Sequence, residues 1–278
     1  MLEAVAVLLS VAYVALLLLM LLSHKYKHKD TFEEEEGLPK LIWTYWHDET
    51  LPPLISRCVK NWKDQNPDYT VTVLNERSVF QLCGVSLVTG NVAKEFVARH
   101  SDFARLYIVC KYGGVWMDAS TICNGGLGWL QDIFKTTRAD FIGFDGPMTR
   151  IASKPIIENW FFAAPRGSRF MQDWLREAEL MRSRSTEGAY VDEVRWEGID
   201  VDALGLGNFL PYLIIHLCAA VVVLHAVEPY KLHIMKSCEN SFKYLCHNDW
   251  TAERAIHALC TNPAMQTPLI KLRGAERA

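Results

Sequence analysis

The sequence predicts an α/β domain that follows one transmembrane helix. Three observations support this expectation: an uncharged run of 19 residues at positions 4–22, a strand–helix–strand pattern over residues 40–74, and a short apolar strand that ends at Asp118. Consecutive strands joined through a helix predict a parallel sheet with covering helices. Half of the 278 residues are hydrophobic and 22% are charged, which is the balance of a folded globular protein.

The uncharged run at residues 4–22 is interrupted only by Ser10 and Tyr13. At about 1.5 Å rise per residue, a helix of this length spans roughly the hydrocarbon core of a bilayer. A cleaved signal peptide would have a basic start and small residues at its cut site, whereas Glu3 precedes this run and bulky and basic residues follow it. We therefore expect an uncleaved anchor behind a short N-terminal tail, residues 1–3.

Charges beside the anchor predict on which side of the membrane the domain lies. The segment that follows the anchor is rich in lysine and histidine, whereas only the amino terminus and Glu3 precede the anchor. The positive-inside rule therefore predicts a cytosolic domain. The alternative is a short cytosolic tail and a domain in the Golgi lumen. We expect residues 23–38 to be a basic and then acidic linker, and residues 39–278 to be the domain.

Charge and missing motifs exclude several function classes. Lys and Arg number 29 against 32 Asp and Glu, a net charge of -3, so the chain has no basic excess with which to bind a nucleic-acid backbone. The sequence also lacks the GxSxG, HExxH, P-loop and GxGxxG patterns. Serine hydrolase, zincin, kinase and dinucleotide-dehydrogenase functions therefore lose their main sequence support.

Eight cysteines are scattered along the chain without a C-x-x-C pair, which removes the usual zinc and thioredoxin-like signatures. Several lie in apolar stretches, so we expect buried free thiols, in keeping with a reducing compartment. A lumenal domain would permit disulfides instead, with a connectivity that the sequence does not specify.

The first predicted unit of the domain is a strand, a helix and a second strand. Residues 40–45 (KLIWTY) form a short apolar and β-branched run that predicts a buried strand. Pro52 and Pro53 suit a helix start, and apolar side chains recur at helical spacing up to a stop at Pro67. Residues 69–74 (YTVTVL) predict the second strand.

The next unit carries the most information about a site. Ser101 is expected to be the N-cap of an amphipathic helix that ends at Gly113 and Gly114. Residues 115–117 then predict a very short buried strand with Asp118 at its C-terminal end. Ligands of open α/β sheets bind at such strand ends, so Asp118 lies where a functional carboxylate is expected.

The remaining chain predicts further strands and helices. Residues 140–144 predict a strand, residues 160–164 form an apolar run, and residues 168–181 predict an amphipathic helix. Residues 183–207 are polar and contain glycine, which indicates a surface excursion. Residues 208–227 are apolar over about membrane length, but a proline and two histidines interrupt them. We expect a buried helix plus a strand there, with a second membrane span as the alternative.

Asp102 and Arg105 lie three residues apart on one predicted helix, and therefore on one face of it. The turn and strand that follow bring Asp118 into the same neighbourhood. An ordinary intrahelical ion pair is the simpler explanation of Asp102 and Arg105 taken alone. Asp118 is harder to explain in this way, because a carboxylate after an apolar strand is costly unless a cation, hydroxyl or backbone donor faces it.

The stretch at residues 101–120, SDFARLYIVCKYGGVWMDAS, resembles the S-D-x-x-R...Y-G-G-hydrophobic-D-A-[ST] core of the capsular polysaccharide synthesis proteins. These proteins belong with the glycosyltransferases that contain a DXD sugar-binding region. Three further segments are similar to the family's first strand, its later helix and its closing stretch: LPKLIWTYW (38–46), NWFFAAPRGSRFMQDWL (159–175) and TPLIKL (267–272). The resemblance covers roughly residues 38–273, and residues 101–120 are its specific part.

The resemblance implies a glycosyltransferase with a GT-A-like α/β fold, a Rossmann-type mixed sheet with flanking helices. Together with the expected anchor at residues 4–22, it predicts a membrane-anchored glycosyltransferase. Such an enzyme moves a sugar from a nucleotide-diphosphate sugar to a glycan acceptor in polysaccharide or glycoconjugate synthesis, here with retention of anomeric configuration. Asp118 stands where the family's first DXD aspartate contacts the ribose and the metal-bound diphosphate. Asp102 and Arg105 stand where the family holds the donor sugar and its diphosphate. Trp46 stands where an aromatic side chain can stack on the base.

The motif departs from the DXD pattern at its third position, where Ser120 replaces the second aspartate. A hydroxyl is a neutral and weaker ligand for the divalent metal, Mn²⁺ or Mg²⁺, that the resemblance implies. We therefore expect the metal to be held by Asp118 together with the diphosphate and water. Ser120 remains an expected substrate-binding residue.

Two other functions remain open. The lost second aspartate would also suit a noncatalytic glycan-binding or scaffold protein on a decayed transferase fold, which would bind nucleotide but release none. A glycoside hydrolase would use Asp102 and Asp118 as acid and base and would cleave glycans without a nucleotide donor. Arg105 argues against the hydrolase, because a neighbouring cation keeps Asp102 ionised.

Overall fold

A six-stranded mixed sheet forms the centre of the fold in this computed structural model, which describes residues 37–150 and 155–277. The strands in these ranges are, in chain order, β1 (Leu41–Tyr45), β2 (Thr70–Leu74), β3 (Gly114–Met117), β4 (Thr121–Cys123), β5 (Phe141–Asp145), β6 (Ile157–Ala164), β7 (Leu232–Met235) and β8 (Leu269–Lys271). The large sheet has the order β2-β1-β3-β6-β5-β7, and β4 pairs with β8 in a second sheet.

The directions of the strands explain where a site can form. β1 is parallel to both β2 and β3, so the C-terminal ends of these three strands lie at one edge of the sheet. β6 runs antiparallel to β3, with Phe161 opposite Met117. Residues 158–160 therefore lie beside the chain that leaves β3. β5 is antiparallel to β6 and parallel to β7, which makes the sheet mixed, as the family resemblance implies.

Helices flank the two sheets and complete the predicted α/β fold. In the described ranges they are α1 (Pro53–Gln65), α2 (Glu76–Cys83), α3 (Val97–Tyr112), α4 (Gly128–Thr137), α5 (Arg169–Ser183), α6 (Glu187–Trp196), α7 (Ile214–Leu224), α8 (Lys243–Cys246) and α9 (Ala252–Thr261). α1 illustrates the local causes. Pro53 begins it, where a missing N–H costs nothing, and its buried side chains recur every three or four residues.

Successive side chains of the central strands point to opposite faces of the large sheet, and a separate hydrophobic core covers each face. Trp116 of β3 and Phe162 of β6 lie in one core, together with side chains of α3, α5 and α7. Val115 of β3 and Phe161 of β6 lie in the other core, which includes Trp62 of α1. Because successive strand side chains point to opposite faces, each strand contributes to both cores.

Most of the predicted elements are confirmed, with ends that differ by a few residues. The strand, helix and strand at the start of the domain correspond to β1, α1 and β2, and the short strand before Asp118 is β3. The strand predicted at residues 140–144, the apolar run at 160–164 and the helix predicted at 168–181 correspond to β5, β6 and α5.

The prediction that Ser101 is the N-cap of the helix before β3 is wrong. α3 begins at Val97, one turn before Ser101, and follows Phe96 without a side-chain cap. Tertiary contacts explain the extra turn: Arg99 is fully buried in ion pairs, and Nε2 of His100 lies 3.1 Å from the carbonyl of Ala93. Ser101 therefore lies inside the helix.

Two predictions for the middle of the chain need correction. Residues 183–207 are not only a surface excursion, because they contain α6, which Thr186 caps and which buries Tyr190, Val191 and Val194. Residues 208–227 contain the 11-residue helix α7 but no strand, and β7 comes later in the chain. A continuous apolar run does not by its periodicity distinguish a buried strand from part of a buried helix.

The predicted tail and anchor, residues 1–3 and 4–22, and the linker as far as residue 36 lie outside the described residues. Within the ranges that the structure describes, no helix combines the length and hydropathy needed to cross a bilayer. The described chain belongs to one compact unit, Gly37–Ala278.

The expectation of free thiols is wrong for one pair of cysteines. Cys238 and Cys246 form a disulfide that closes a short loop, residues 238–246, which includes Phe242. The other six cysteines are free, and three of them are buried. The apolar surroundings of the buried thiols account for the part of the expectation that is correct.

Replacement of Gly114 by alanine is expected to destabilise the domain. Gly114 begins β3 with a φ of +96°, and a Cβ atom there would lie 2.7 Å from the backbone oxygen of Leu41 in β1. Strained backbone and a backbone clash predict a loss of about 2 kcal/mol or more in the free energy of unfolding. Gly128→Ala is the matched control, because nothing lies within 4 Å of its added Cβ. Equal stability of the two variants in chemical denaturation would contradict this close approach.

Candidate functional site

A cavity of about 440 Å³ opens at the sheet edge where β1 and β3 end. All five site residues that the sequence predicts line it: Trp46, Asp102, Arg105, Asp118 and Ser120. Trp46 follows β1, the two motif residues follow β3, and the remaining pair lies on α3. The structure thus brings these side chains together in a cavity of the size that small-molecule sites have. Their individual roles stay predictions.

Asp118 is held at the end of β3 between two cations. Nζ of Lys271 donates to its Oδ2 at 2.9 Å, and Nη2 of Arg105 lies 3.3 Å from its Oδ1. Nε1 of Trp116 also donates to Oδ1, at 3.1 Å. Burial raises the pKa of the Asp118 carboxyl, but the attraction of Lys271 and then of Arg105 outweighs it, so the pKa lies below its usual range. Asp118 is therefore an anion at neutral pH.

Arg105 is a buried cation whose orientation is fixed from both sides. Its Nε and Nη2 donate to the carbonyl and hydroxyl of Ser101, at 3.1 and 2.9 Å. Its Nη1 donates to the carbonyl of Asn159 at 2.8 Å, and its guanidinium lies over the ring of Trp116. These contacts hold the charge in place before any ligand binds.

Asp102 lies in a buried ion-pair network next to Arg105. Its Oδ2 accepts from Nη1 of Arg99 at 2.6 Å, and its Oδ1 accepts from Nδ2 of Asn159 at 2.9 Å. Nη1 of Arg105 lies 3.4 Å from the same Oδ1. Arg99 also pairs with Glu187 of α6. Both carboxylate oxygens of Asp102 are thus engaged within the protein, although the residue borders the cavity.

Lys271 reaches the motif because β8 pairs with β4, where Thr121 lies opposite it. Its Nζ donates to Oγ of Ser120 at 3.1 Å, in addition to its bond with Asp118. The Ser120 hydroxyl in turn donates to the carbonyl of Leu272 at 2.9 Å. Only 9% of Lys271 is exposed, so its ammonium is a fixed charge and not a mobile surface group.

Several buried polar atoms around the cavity have no hydrogen-bond partner among the described residues. They are Nε1 of Trp46, Nε1 of Trp160 and both ring nitrogens of His216. Oε2 of Glu158 lies 3.7 Å from Nε2 of His216, beyond hydrogen-bond distance. Buried polar groups are normally paired, so these nitrogens indicate a ligand rich in hydrogen-bonding groups, or water.

The side chains around Asp118, as they are arranged, do not form a binding site for Mn²⁺ or Mg²⁺. Such ions prefer several oxygen ligands. Here Lys271 and Arg105 face the two carboxylate oxygens, and the Ser120 hydroxyl is bonded to the same lysine. In residues 37–150 and 155–277, no group of three or more His, Cys, Asp and Glu side chains could hold a metal ion. Metal ligation by Asp118 stays a prediction.

Sequence reasoning misses five polar residues of this region. Lys271 and Asn159 belong to segments that carry the family resemblance, and a lysine inside a short apolar strand is a usable signal for a buried, paired charge. Arg99 lies three residues before Asp102 on α3, and this spacing is a usable signal once the helix is known to begin before Ser101. Nothing in the sequence connects Glu158 and His216 with Asp118 or Asp102, and both reach the site through long-range packing.

Solved structures with a partly similar fold are glycosyltransferases of low sequence identity. The galactosyltransferase LgtC, solved in complex with donor and acceptor sugar analogs, is 12% identical, with a TM-score of 0.42 over 85% of this chain and 93% of that chain. The glycosyltransferase GlyE of Streptococcus pneumoniae is 10% identical, with a TM-score of 0.44 over 86% of this chain and 55% of that chain. These scores describe a partial likeness and no more.

Curated relatives are more similar in sequence, over shorter segments. The O-glycosyltransferase braB of Annulohypoxylon truncatum is 28% identical over 159 residues, 49% of this chain and 36% of the relative. The O-glycosyltransferase PaGT of Phomopsis amygdali is 30% identical over 137 residues, 44% of this chain and 34% of the relative. Inositol phosphoceramide mannosyltransferase 3 of Schizosaccharomyces pombe is 24% identical over 102 residues, 36% of this chain and 29% of the relative. The chain thus spans about a third of the length of these relatives.

The family match covers the segment that contributes most of the site. The sequence model of the capsular polysaccharide synthesis proteins matches residues 19–179, which is more than half of the chain. The matched segment includes the motif at residues 101–120 and both strands that end at the cavity. The chain belongs to the family of capsular polysaccharide synthesis proteins.

Proposed function

We propose that the domain is a glycosyltransferase that moves a sugar from a nucleotide-diphosphate sugar to an acceptor hydroxyl, in polysaccharide or glycoconjugate synthesis. The observation that carries this proposal is the anchoring of Arg105 and Lys271 on either side of Asp118 in one cavity. Both cations border the cavity and are fixed by protein contacts, so they can offer charge-assisted hydrogen bonds to a diphosphate. The names of the curated relatives, two O-glycosyltransferases and a mannosyltransferase, support the same class.

The base of the nucleotide is proposed to stack on Trp46. This side chain borders the cavity directly after β1, and its buried Nε1 has no hydrogen-bond partner among the described residues. An aromatic face offers stacking energy to any base, and the free N–H can donate to a base or ribose oxygen. The parallel pairing of β1 with β3 keeps Trp46 close to Asp118, as a base and a diphosphate in one ligand require.

The sugar is proposed to lie toward Glu158, Asn159 and His216. All three residues border the cavity, and β6 carries two of them past the end of β3. The unpaired ring nitrogens of His216 and the nearby Glu158 carboxylate offer donors and acceptors for hydroxyl groups. Asp102 is proposed to orient Asn159 and Arg105, because both of its carboxylate oxygens already bind protein groups.

The transfer step would place new negative charge on the diphosphate. The bond between the anomeric carbon and the diphosphate oxygen breaks, and its electron pair stays on that oxygen. The acceptor oxygen bonds to the anomeric carbon and loses its proton to the diphosphate or to water. Arg105 and Lys271 would stabilise the departing diphosphate without reorganising, because protein contacts already hold both side chains. Retention of anomeric configuration is the outcome that the resemblance implies.

Two alternative functions make different demands on the site. A general acid of a glycoside hydrolase needs a proton on its carboxyl group, whereas both Asp102 oxygens accept hydrogen bonds and the pKa of Asp118 is lowered. A noncatalytic nucleotide-binding scaffold would use the same cavity. Nucleotide release from a panel of UDP- and GDP-sugars, with and without glycan acceptors, separates the three functions. Release of nucleotide supports the transferase, binding without release supports the scaffold, and glycan cleavage without a donor supports the hydrolase.

Asp118→Asn is expected to remove at least about a hundredfold of the transfer rate while the protein stays folded. The amide cannot hold Arg105 and Lys271 by charge, so the preorganised site for the diphosphate is lost. Asp192→Asn is the matched control, because its side chain is exposed on α6 and pairs with Arg195 only. Near-native turnover by a folded Asp118→Asn protein would contradict the assignment of this cavity as the active site.

Trp46→Ala is expected to weaken nucleotide binding by about 1 kcal/mol or more, the value of a lost stack between a base and an aromatic ring. Trp196→Ala serves as the control, because Trp196 is 88% exposed at the end of α6. Isothermal calorimetry with UDP and GDP measures the difference. A Trp46→Ala protein that binds both nucleotides normally but melts at a lower temperature would make Trp46 a core residue.

The membrane side of the domain is also a proposal. We propose that residues 4–22 anchor the chain, that residues 23–38 link the anchor to the domain at 39–278, and that the domain faces an oxidising lumen. The Cys238–Cys246 disulfide supports this alternative over the cytosolic position that the flanking charges predict. Disulfides persist in oxidising compartments and are rare in the reducing cytosol.

Protease protection tests this topology. When the full chain with a C-terminal tag is expressed in cells and sealed microsomes are treated with protease, the tag is expected to survive until detergent opens the vesicles. Alkylation before and after reduction should reveal two additional reactive cysteines, those of the disulfide. Digestion of the tag in sealed vesicles would instead support the cytosolic position.

A further inference from the structure

We propose that the ammonium group of Lys271 takes the place of a divalent cation beside Asp118, so that this chain binds a nucleotide diphosphate and transfers its sugar without a metal ion. This inference rests on the proposed function. It differs from the metal dependence that the family resemblance implies, and the contacts of Lys271 carry it.

The ammonium of Lys271 occupies the position between the two motif side chains. It lies 2.9 Å from Oδ2 of Asp118 and 3.1 Å from Oγ of Ser120, which are the two oxygens that a cation bound to the motif would use. The other carboxylate oxygen of Asp118 faces Arg105. A divalent ion bound to these oxygens would have to displace Lys271 or lie within a few ångströms of its charge, where like charges repel.

The position of Lys271 is built into the fold. Its strand pairs with β4 directly after the motif, and its backbone N–H donates to the carbonyl of Ser241 at 3.3 Å. The hydroxyl of Tyr244 donates to its carbonyl at 2.7 Å. Both residues lie in the loop that the Cys238–Cys246 disulfide closes. The backbone of Lys271 is therefore held by both the second sheet and the disulfide loop, and the side chain extends from this fixed backbone to Asp118 and Ser120.

Ser120, the residue type that the D-A-[ST] core of the family has in place of a second DXD aspartate, suits this arrangement. A second aspartate at this position would give the motif two anions, enough to attract a divalent ion. A hydroxyl removes one of these charges, and the remaining single carboxylate matches the single charge of one ammonium. Lys271 borders the cavity, and two of its three N–H groups have acceptors among the described residues. The third can donate to a phosphate oxygen.

Calorimetric titration of UDP and of GDP into the full, metal-free chain is the first test. At least one nucleotide is expected to bind with the same affinity, within about twofold, in excess EDTA and in Mn²⁺. Mn²⁺ alone is expected to give no saturable binding to the nucleotide-free protein. Binding that requires Mn²⁺, or stoichiometric Mn²⁺ held by the protein alone, would overturn the inference. Binding of neither nucleotide in either buffer would contradict the proposed function itself.

Lys271→Met is the second test, because it keeps an unbranched chain as far as the ε-carbon and removes the charged nitrogen. Affinity for the diphosphate nucleotide in EDTA is expected to fall at least about tenfold, while affinity for the corresponding nucleoside is unchanged. Lys60→Met is the matched control, since Lys60 is an exposed lysine on α1 that pairs only with Asp64. Unchanged nucleotide affinity in a folded Lys271→Met protein would contradict the inference.

Mn²⁺ should partly restore nucleotide binding to Lys271→Met, because the oxygens of Asp118 and Ser120 then become available to the ion. Wild-type protein should show no such gain.

If thermal unfolding shows that Lys271→Met does not fold, Lys271→Arg is used in its place, because it keeps a positive charge beside Asp118. EDTA-resistant nucleotide binding by Lys271→Arg supports the resident cation, and binding that depends on Mn²⁺ contradicts it.

Discussion

The site depends on one ionic contact, in which Asp118 lies between Arg105 and Lys271. Neither cation could be buried alone at low cost, and Asp118 could not lie unpaired after an apolar strand. The contact joins α3, β3 and β8, and Lys271 is separated from Asp118 by 153 residues in the chain. These charges are paired only when all three elements are in place. The site therefore takes its final geometry only when β8, in the C-terminal segment, has packed beside β4.

The sheet places these charges at an edge where a ligand can approach. Gly114 allows β3 to begin close to β1, Trp116 and Val115 then secure the strand in opposite cores, and Asp118 follows where the pairing ends. The antiparallel strand β6 closes the other side and supplies the Asn159 carbonyl that orients Arg105. A binding site for a charged ligand is thus formed by rigid elements and needs little ordering when the ligand arrives.

Local patterns were sufficient for the parts of the fold that local forces determine. Local patterns predict elements that are present: the apolar and β-branched run KLIWTY, the run YTVTVL, the prolines at the start of α1 and the glycines after α3. The position of Asp118 follows from the short strand before it. Long-range contacts explain the failures. Burial of Arg99 extends α3 by one turn on the N-terminal side of Ser101. Packing of Tyr190 stabilises a helix in a polar segment. His216 and Lys271 lie far from Asp118 in the sequence and reach the site through the fold.

The most direct measurement of the central claim is a crystal structure of the full chain with UDP or GDP bound in the presence of EDTA. The account predicts the diphosphate in the cavity, with phosphate oxygens within hydrogen-bond distance of Nζ of Lys271 and of the Arg105 guanidinium, and with the base against Trp46. A metal ion retained between Asp118 and the phosphates, with Lys271 turned away, would contradict it. A nucleotide bound outside this cavity would contradict the site as a whole.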